Sequence, residues 1–446
     1  MSFSQRRGFL KTSTVATAAA VLGRGRIAKS APSERLRAGF VGVGGRAGSL
    51  LNMFAEQKDV DILALADIDS RRLPQAVETV KTKNGNDPKT YGDFRHIIDD
   101  TNIDILVVGT PDHWHAIPTI LGCMAGKDVY VEKPDGHNIL EGRRITQAMR
   151  KYQRIVQLGT QSRSSQHFVD AIEYIKTGAL GKVLVAKAWE SSRQGPIGFP
   201  PDGRPPEGVD YDTWLGPAPK RAFNPRRFHA HWRWFFDYGT GDLGNDGVHR
   251  LDYARWAMNT ALEAQGEPAT YLPTKITATG GKWYFDDAQE WPDTLQVNYE
   301  YPGHGNGPGK ILTYEMRVWT PYNTRGGDLS EGAIVYGDRG YIVFGNRHWK
   351  AYAGKEKLVA EGKGQNKATL HIRNFLDCVK SREKPNADVE TVGHPSSVLT
   401  HAGNVSWRVG RQVQLDPETE KFIDDDEANA LRTRSEYRKP WLLPDV

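Results

Sequence analysis

A chain of 446 residues is long enough for two domains with their own cores, at roughly 100–200 residues per domain. An apolar share of 38% and a charged share of 25% exclude a disordered or low-complexity chain, and no run of about 18 apolar residues is available to cross a bilayer. The formal charge of +5 belongs to the first thirty residues, where Arg6, Arg7, Lys11, Arg24, Arg26 and Lys29 meet no acid; the other 53 basic and 54 acidic side chains nearly cancel and give no reason to bind nucleic acid or anionic lipid.

Residues 1–30 read as a targeting segment. The pair Arg6-Arg7 precedes Phe9-Leu10-Lys11, a mild apolar stretch runs from Thr12 to Leu22, and Ala28 and Ser30 make a small-x-small cleavage pattern before Ala31. This resembles a twin-arginine export signal, with Gln5 where Ser is more usual, and implies a periplasmic location.

From 34 to 160, strand-like and helix-like patterns alternate. "RAGFVGVG", "VDILALADID", "DILVVGTP" and "KDVYVEKP" are short, rich in Val, Ile and Leu, and not alternating, as parallel strands covered on both faces should be. Helical segments such as "HAIPTILGCMAGK" and "ILEGRRITQAMRKY" separate them, so a Rossmann-type doubly wound α/β domain is expected over 34–160. After about residue 180 the strands "GKVLVAKAWESS", "KITATGGKWYF", "DTLQVNYEY", "KILTYEMRVW" and "GAIVYGDRGYIVF" follow one another with turns such as "PGHGNGPG" between them. The expectation for 161–446 is an α+β domain around a large, mainly antiparallel sheet, with a long surface loop at "RQGPIGFPPDGRPPEG" and a helix near "SSVLTHAGNVSWRVG". Cys123 and Cys378, far apart, read as small buried hydrophobes.

The first strand closes in "GFVGVGGRAG", which sets Gly42, Gly44 and Ala47 in the G-x-G-x-x-G/A positions, with Gly45 and Arg46 between them. The first glycine makes the tight turn, the second admits a pyrophosphate to the backbone, and the third small residue lets helix and strand approach. Asp67 ends the second strand, where an acid accepts from a ribose hydroxyl; its carboxylate favours NAD over NADP, although Arg71 and Arg72 follow closely.

Three further motifs, "TPDHWHA" (110–116), "VEKP" (131–134) and "GDLGNDGVHRLDYARW" (241–256), together with the glycine turn, resemble the glucose–fructose oxidoreductase, inositol 2-dehydrogenase and rhizopine-catabolism (Gfo/Idh/MocA) family. The resemblance implies that Lys133, with Glu132 before it, lies beside the nicotinamide and contacts the reacting hydroxyl. It implies that Thr110, Pro111, His113 and His115 flank the cofactor, and that His249 serves as acid or base. Where such helices carry an Asp four residues before the histidine, this chain has Asn245; Asp246 and Asp252 lie within i,i+3 reach of His249 and could supply the charge.

Trp189, Trp214, Trp232, Trp234 and Trp256 fall in one stretch, and aromatic faces among polar groups suit a sugar or polyol. Lys187, His229, His231, Trp232, Arg233 and Tyr238 are the candidate hydroxyl contacts. The pairs His113/His115 and His229/His231 lack the Cys or acid cluster that would complete a metal site, so no metal is expected. The expected activity is NAD(P)-dependent oxidation of a sugar, glycoside or polyol hydroxyl with tightly held cofactor. The alternatives are a glycoside hydrolase or lyase that oxidises its substrate only transiently, and a catalytically weak binding protein. A homodimer or homotetramer is implied by the resemblance.

Overall fold

The computed structural model describes residues 35–322, 330–365 and 367–446. The export-signal reading, on residues 1–30, lies outside them. Among the described residues the strands form two sheets.

The first sheet holds β1 (Leu36–Val41), β2 (Val60–Ala66), β3 (Lys89–Tyr91), β4 (Ile105–Val108), β5 (Asp128–Val131) and β6 (Val156–Leu158) in the order β3-β2-β1-β4-β5-β6, all parallel. β4 and β5 are buried at every position, which is why their sequences run apolar without alternation. The order reverses direction between β1 and β4, so a crevice opens outside the carboxyl ends of those strands. Gly42, Asp67, Thr110 and Lys133 all follow such ends.

The second sheet runs β14 (Lys357–Lys363), β13 (His348–Ala353), β12 (Gly340–Phe344), β11 (Glu331–Gly337), β7 (Val183–Glu190), β10 (Lys310–Arg317), β9 (Thr294–Tyr301), β8 (Lys275–Gly281), β15 (Val413–Gln414). Every neighbouring pair is antiparallel except β7 with β10, which is parallel. Burial along β9 alternates in steps of two, so one face packs inward and the other is open. The inner face meets the helix Val248–Ala264, whose Leu251, Tyr253, Ala254, Ala257 and Met258 share a core with Ala186, Ala188, Ala333 and Val335.

The chain does not divide cleanly at residue 160. The helix Ala368–Ser381 returns to the first sheet and buries Ile372, Phe375 and Leu376 beside Phe40, Phe54 and Tyr130. Trp441 closes the opposite face against Phe94 and Trp114. Buried His394 joins the halves, pairing with Asp135 (2.8 Å) on one side and Glu420 (3.1 Å) on the other. Cys123 and Cys378 are both free and buried.

Candidate active site

A cleft of about 350 Å³ runs from the end of β2, across the glycine turn, to the second sheet. Gly42 adopts φ +86°, and a Cβ there would lie 3.1 Å from the carbonyl of Gly109. Glycine removes that conflict. Gly45 is also left-handed, at φ +50°, and a Cβ on it would meet nothing within 4 Å. The helix Gly45–Ala55 starts at Gly44 with no side-chain cap, so its first amides keep their capacity for an anion. Ala47 sits under this turn, where a Cβ on Gly109 would come within 2.6 Å of its own Cβ; only two small residues allow so close an approach.

Asp67 accepts from the backbone N–H of Val43 (3.0 Å) and Asp69 (2.9 Å), which fixes its carboxylate at the nucleoside end of the cleft. Arg72 lies across Gly44, close enough that a Cβ there would strike its guanidinium. His229 closes this end by pairing Nε2 with Asp69 (2.9 Å). Burial and the Arg72 charge lower its pKa, while side-chain and backbone hydrogen bonds from Arg71, joined by that from His229, hold the Asp69 carboxyl far below its usual range. His229 therefore stands beside the nucleoside end rather than against the second sheet. These donors and spaces fit a dinucleotide: glycines 42, 44 and 45 and the helix start for the pyrophosphate, Asp67 for a ribose.

At the other end Lys133 donates from Nζ to the carbonyl of Asn245 (2.5 Å) and to its side-chain Oδ1 (3.0 Å). Glu132 is instead paired with Arg46 (2.9 Å). Asn245 lies on a one-turn π-helix, Leu243–Gly247, the wide kind of turn that re-aims side chains at functional sites. Its Nδ2 donates to Asp246 Oδ2 (3.0 Å) and reaches Asp242 Oδ1 (3.4 Å). Asp242 is 1% exposed and is pushed up to about 8 by burial, then by the charges of Asp246 and Glu190. His249 follows one turn on. Burial first, then the Lys133, Arg250 and Arg46 charges, hold its imidazole neutral, and its Nδ1 has no hydrogen-bond partner. Neither nearby acid serves it: Asp246 is held by Asn245, and Asp252 by Arg163 and Ser396.

The cleft thus gathers Gly42, Gly44, Gly45, Arg46, Asp67, Thr110, Pro111, His115, Glu132, Lys133, His229, Trp232, Arg233 and Asn245. His115 braces it, bonding through Nε2 to the carbonyl of Thr110 (2.9 Å) and through Nδ1 to that of Pro134 (2.5 Å). His113 and Tyr238 lie behind the wall. His113 meets the carbonyls of Trp214 (2.8 Å) and Tyr238 (3.3 Å), and burial takes it down to about 3; Tyr238 is fully buried against Trp214. His231 reaches Arg226 at 3.2 Å, outside the lining. Lys187 is on the open face of β7, ion-paired with Glu315 (2.5 Å), and so is turned away from the cleft. Of the tryptophans expected at the sugar, Trp214 and Trp232 line the cleft, while sequence reasoning did not single out Asp112, Thr213 or Phe94. Asp112, buried within "TPDHWHA", accepts from Thr240 Oγ1 (2.7 Å). Among the described residues no group of three or more His, Cys, Asp or Glu is placed to hold a metal ion.

The family model described as "Oxidoreductase family, NAD-binding Rossmann fold" matches residues 36–160. Its companion, "Oxidoreductase family, C-terminal alpha/beta domain", matches 185–268 and 354–443. Among curated proteins, "Glycosyl hydrolase family 109 protein 1" of Shewanella sp. (strain MR-4) is 26% identical over 183 residues, 39% of this chain and 40% of that protein. The chain therefore aligns with about two fifths of that relative's length. In fold, the chain is similar to aldose-aldose oxidoreductase from Caulobacter crescentus (21% identity, TM-score 0.61, 85% of this chain and 100% of that one). It is also similar to levoglucosan dehydrogenase in complex with NADH (16%, TM-score 0.62, 85% and 99%). The WlbA dehydrogenase from Bordetella pertussis, in complex with NADH and UDP-GlcNAcA, shares the same fold (17%, TM-score 0.61, 86% and 98%).

Proposed function

The chain belongs to the Gfo/Idh/MocA family of NAD-binding oxidoreductases, and from that premise we propose that it oxidises a secondary hydroxyl of a sugar, glycoside or polyol. The observation that carries the reading is the bond from Lys133 Nζ to Asn245, which sets an ammonium where the dinucleotide cleft meets the second sheet. NAD, held by the glycine turn, the helix start and Asp67, supplies the hydride acceptor. The Lys133 ammonium donates to the substrate oxygen and stabilises it as its proton departs. His249, kept neutral by burial one turn beyond Asn245, is the residue to which we assign uptake of that proton. Trp232 and Arg233 close the substrate end, and Trp214 walls it.

The names of the curated relatives support a second reading, a glycosidase that oxidises a carbinol only transiently. Oxidation would acidify the neighbouring C–H, a base would remove that proton and the leaving group would be eliminated; water would then add to the double bond and hydride would return from the cofactor to the ketone, so no NADH accumulates. One assay separates the two: wild-type protein with NAD and a sugar and glycoside panel forms NADH with product under the first reading, and releases aglycone without net NADH under the second. Protein that binds NAD yet does neither across the panel overturns both.

Export rests on the Arg6-Arg7 segment, which would deliver a folded protein with its cofactor to a periplasm by the twin-arginine machinery. Gentle isolation should then yield protein with nicotinamide bound; cofactor-free protein from the periplasm counts against it. Assembly into a dimer or tetramer through the open face of the second sheet is supported by its exposed apolar surface. There Tyr341 stacks on Tyr352 at 4.9 Å, and Val185 and Ile311 are 38% and 40% exposed. Sedimentation of the purified protein tests it; a monomer refutes it.

A further inference from the structure

A second groove, of about 650 Å³, is lined by Arg193, Gln194, Gly195, Tyr284, Phe285 and Trp319. One wall is aromatic and faces water. Tyr284 is 59% exposed and its neighbour Trp283 72%. The rings of Tyr284 and Trp319 are stacked, with centroids 4.9 Å apart and planes 14° from parallel.

These rings are held in place. Asp293, fully buried, accepts from the backbone N–H groups of Trp283 (3.2 Å), Tyr284 (2.8 Å) and Phe285 (2.9 Å). It also accepts from the hydroxyl of Thr294 (2.8 Å), and the oxygen of that hydroxyl accepts from the indole N–H of Trp319 (2.9 Å). One buried carboxylate therefore orders both members of the stack. The facing loop is tied to the same frame, with Gln194 N–H bonded to the carbonyl of Val318 (2.6 Å) and Ile197 N–H to Asp287 (2.7 Å). Burying a carboxylate is unfavourable unless its oxygens are fully hydrogen-bonded, and here those bonds go to a loop that displays aromatic rings to solvent. A need to cap the hairpin would explain the backbone bonds. It would not explain an exposed stack with its indole N–H anchored.

The groove also connects to the chemistry. Gln194 Nε2 donates to Asp242 Oδ1 (3.0 Å), the oxygen that Asn245 reaches from the other side while it holds Lys133. Two side chains, Asp242 and Asn245, link Gln194 in the groove wall to Lys133. Arg193 and Asp286 line it with one charge of each sign, which suits a neutral polyhydroxy ligand better than a phosphate or a carboxylate. An aromatic face among polar groups matches the C–H face and hydroxyls of a pyranose.

We propose that this groove is a subsite for a second sugar ring, so that the substrate is a glycoside of at least two pyranoses, with its outer ring stacked on the Tyr284–Trp319 pair. The inference rests on the reading that the cleft oxidises a sugar hydroxyl. The test compares kcat/KM for α- and β-linked glucose disaccharides with that for glucose, in wild type, Tyr284→Ala and Trp319→Ala. Tryptophan-fluorescence titration of the NAD-loaded Lys133→Met protein with the same sugars reads binding without turnover. We expect the wild type to favour at least one disaccharide by tenfold or more. Tyr284→Ala should reduce that preference about tenfold through KM, and Tyr284→Ala on the Lys133→Met background should lose the disaccharide-specific fluorescence change. A preference that Tyr284→Ala leaves intact, or an absence of any preference alongside normal oxidation of glucose, overturns the subsite and leaves the oxidation reading standing. Disaccharide binding that Tyr284→Ala abolishes, in a protein that reduces NAD with no sugar, keeps the subsite and overturns the oxidation reading. A fall in sedimenting mass in Tyr284→Ala, with sugar selectivity unchanged, would make the stack a contact between copies and refute the proposal.

Discussion

Asn245 makes a set of contacts that a carboxylate at the same place could not make. Its Oδ1 accepts from Lys133 while its Nδ2 donates to Asp246 and reaches Asp242, so one amide joins an ammonium to two acids. An aspartate there would face Asp246 across about the same 3.0 Å with like charge and no proton to share. Asn245→Ala is therefore expected to lower kcat roughly 10–100-fold by releasing Lys133 from its position, with little change in KM for NAD. Asn245→Asp is expected to cost more in kcat/KM at pH 8 than at pH 6. Repulsion among the carboxylates is greatest when all are ionised and eases when one takes a proton, so a pH-independent loss in the pH–rate profiles would refute this account. At the opposite end, Asp67 and Arg72 lie on the two sides of the same turn. Removing the carboxylate with Asp67→Ser should lower kcat/KM for NAD about tenfold and raise that for NADP by a similar factor, with Arg72 left to meet the 2′-phosphate. Initial rates with both cofactors check it, and an NADP rate that does not rise would show that Arg72 is turned to another task.

At the scale of elements, the fit between the helix Gly45–Ala55 and the sheet depends on Gly109 as much as on the turn before it. A Cβ on Gly109 would lie 2.6 Å from the Cβ of Ala47 and 3.0 Å from its Cα, with no flexible side chain to give way. Gly109→Ala should destabilise the fold by about 1–3 kcal/mol, as overpacking does, and raise KM for NAD because the shifted helix carries the phosphate-binding amides. A thermal melt and cofactor titration measure both; an unchanged Tm would mean that the helix moves freely. Gly42, Gly44 and Ala47 were legible in sequence because close approach to backbone and phosphate leaves few residue types to choose from. Lys133 was legible because a motif fixes it at a strand end. His113 and Tyr238 were not placed correctly in the mind's eye of the sequence, since what buries them is Trp214, about a hundred positions from His113. Lys187 shows the same limit: alternation along β7 says that it differs in face from Ala186 and Ala188, but not which face meets the cleft. The parallel pairing of β7 with β10 and the return of Ala368–Ser381 to the first sheet are equally silent, because an amphipathic pattern specifies a buried face and not its partner.

For the molecule as a whole, the buried histidines set how stability depends on pH. Burial takes His113 down to about 3 and His371 and His401 to about 4, and it holds His137 and His249 well below 6.5. His394 runs the other way: burial opposes its charge, but Asp135 and Glu420 on either side raise it to about 10. The neutral histidines bind fewer protons folded than unfolded, so their stabilisation is present above about pH 6.5 and is lost as pH falls below it. The contribution of His394 is complete below about 6.5 and is lost as pH rises toward 10. Asp242, raised to about 8, binds its proton only in the folded state and offsets one such ring, but five neutral histidines outweigh it, so stability should decline already between pH 6.5 and 5, before carboxylates near 4 begin to titrate. The decline should be on the order of 1 kcal/mol per pH unit for each fully buried neutral histidine. Denaturant unfolding at pH 7, 6 and 5 measures it, and His371→Asn should reduce the slope by about one proton, since its ring takes up a proton only on unfolding. A transition midpoint that stays level from pH 7 to 5 would mean that these rings reach water in the native state, and with them the interior that positions Lys133 and His249.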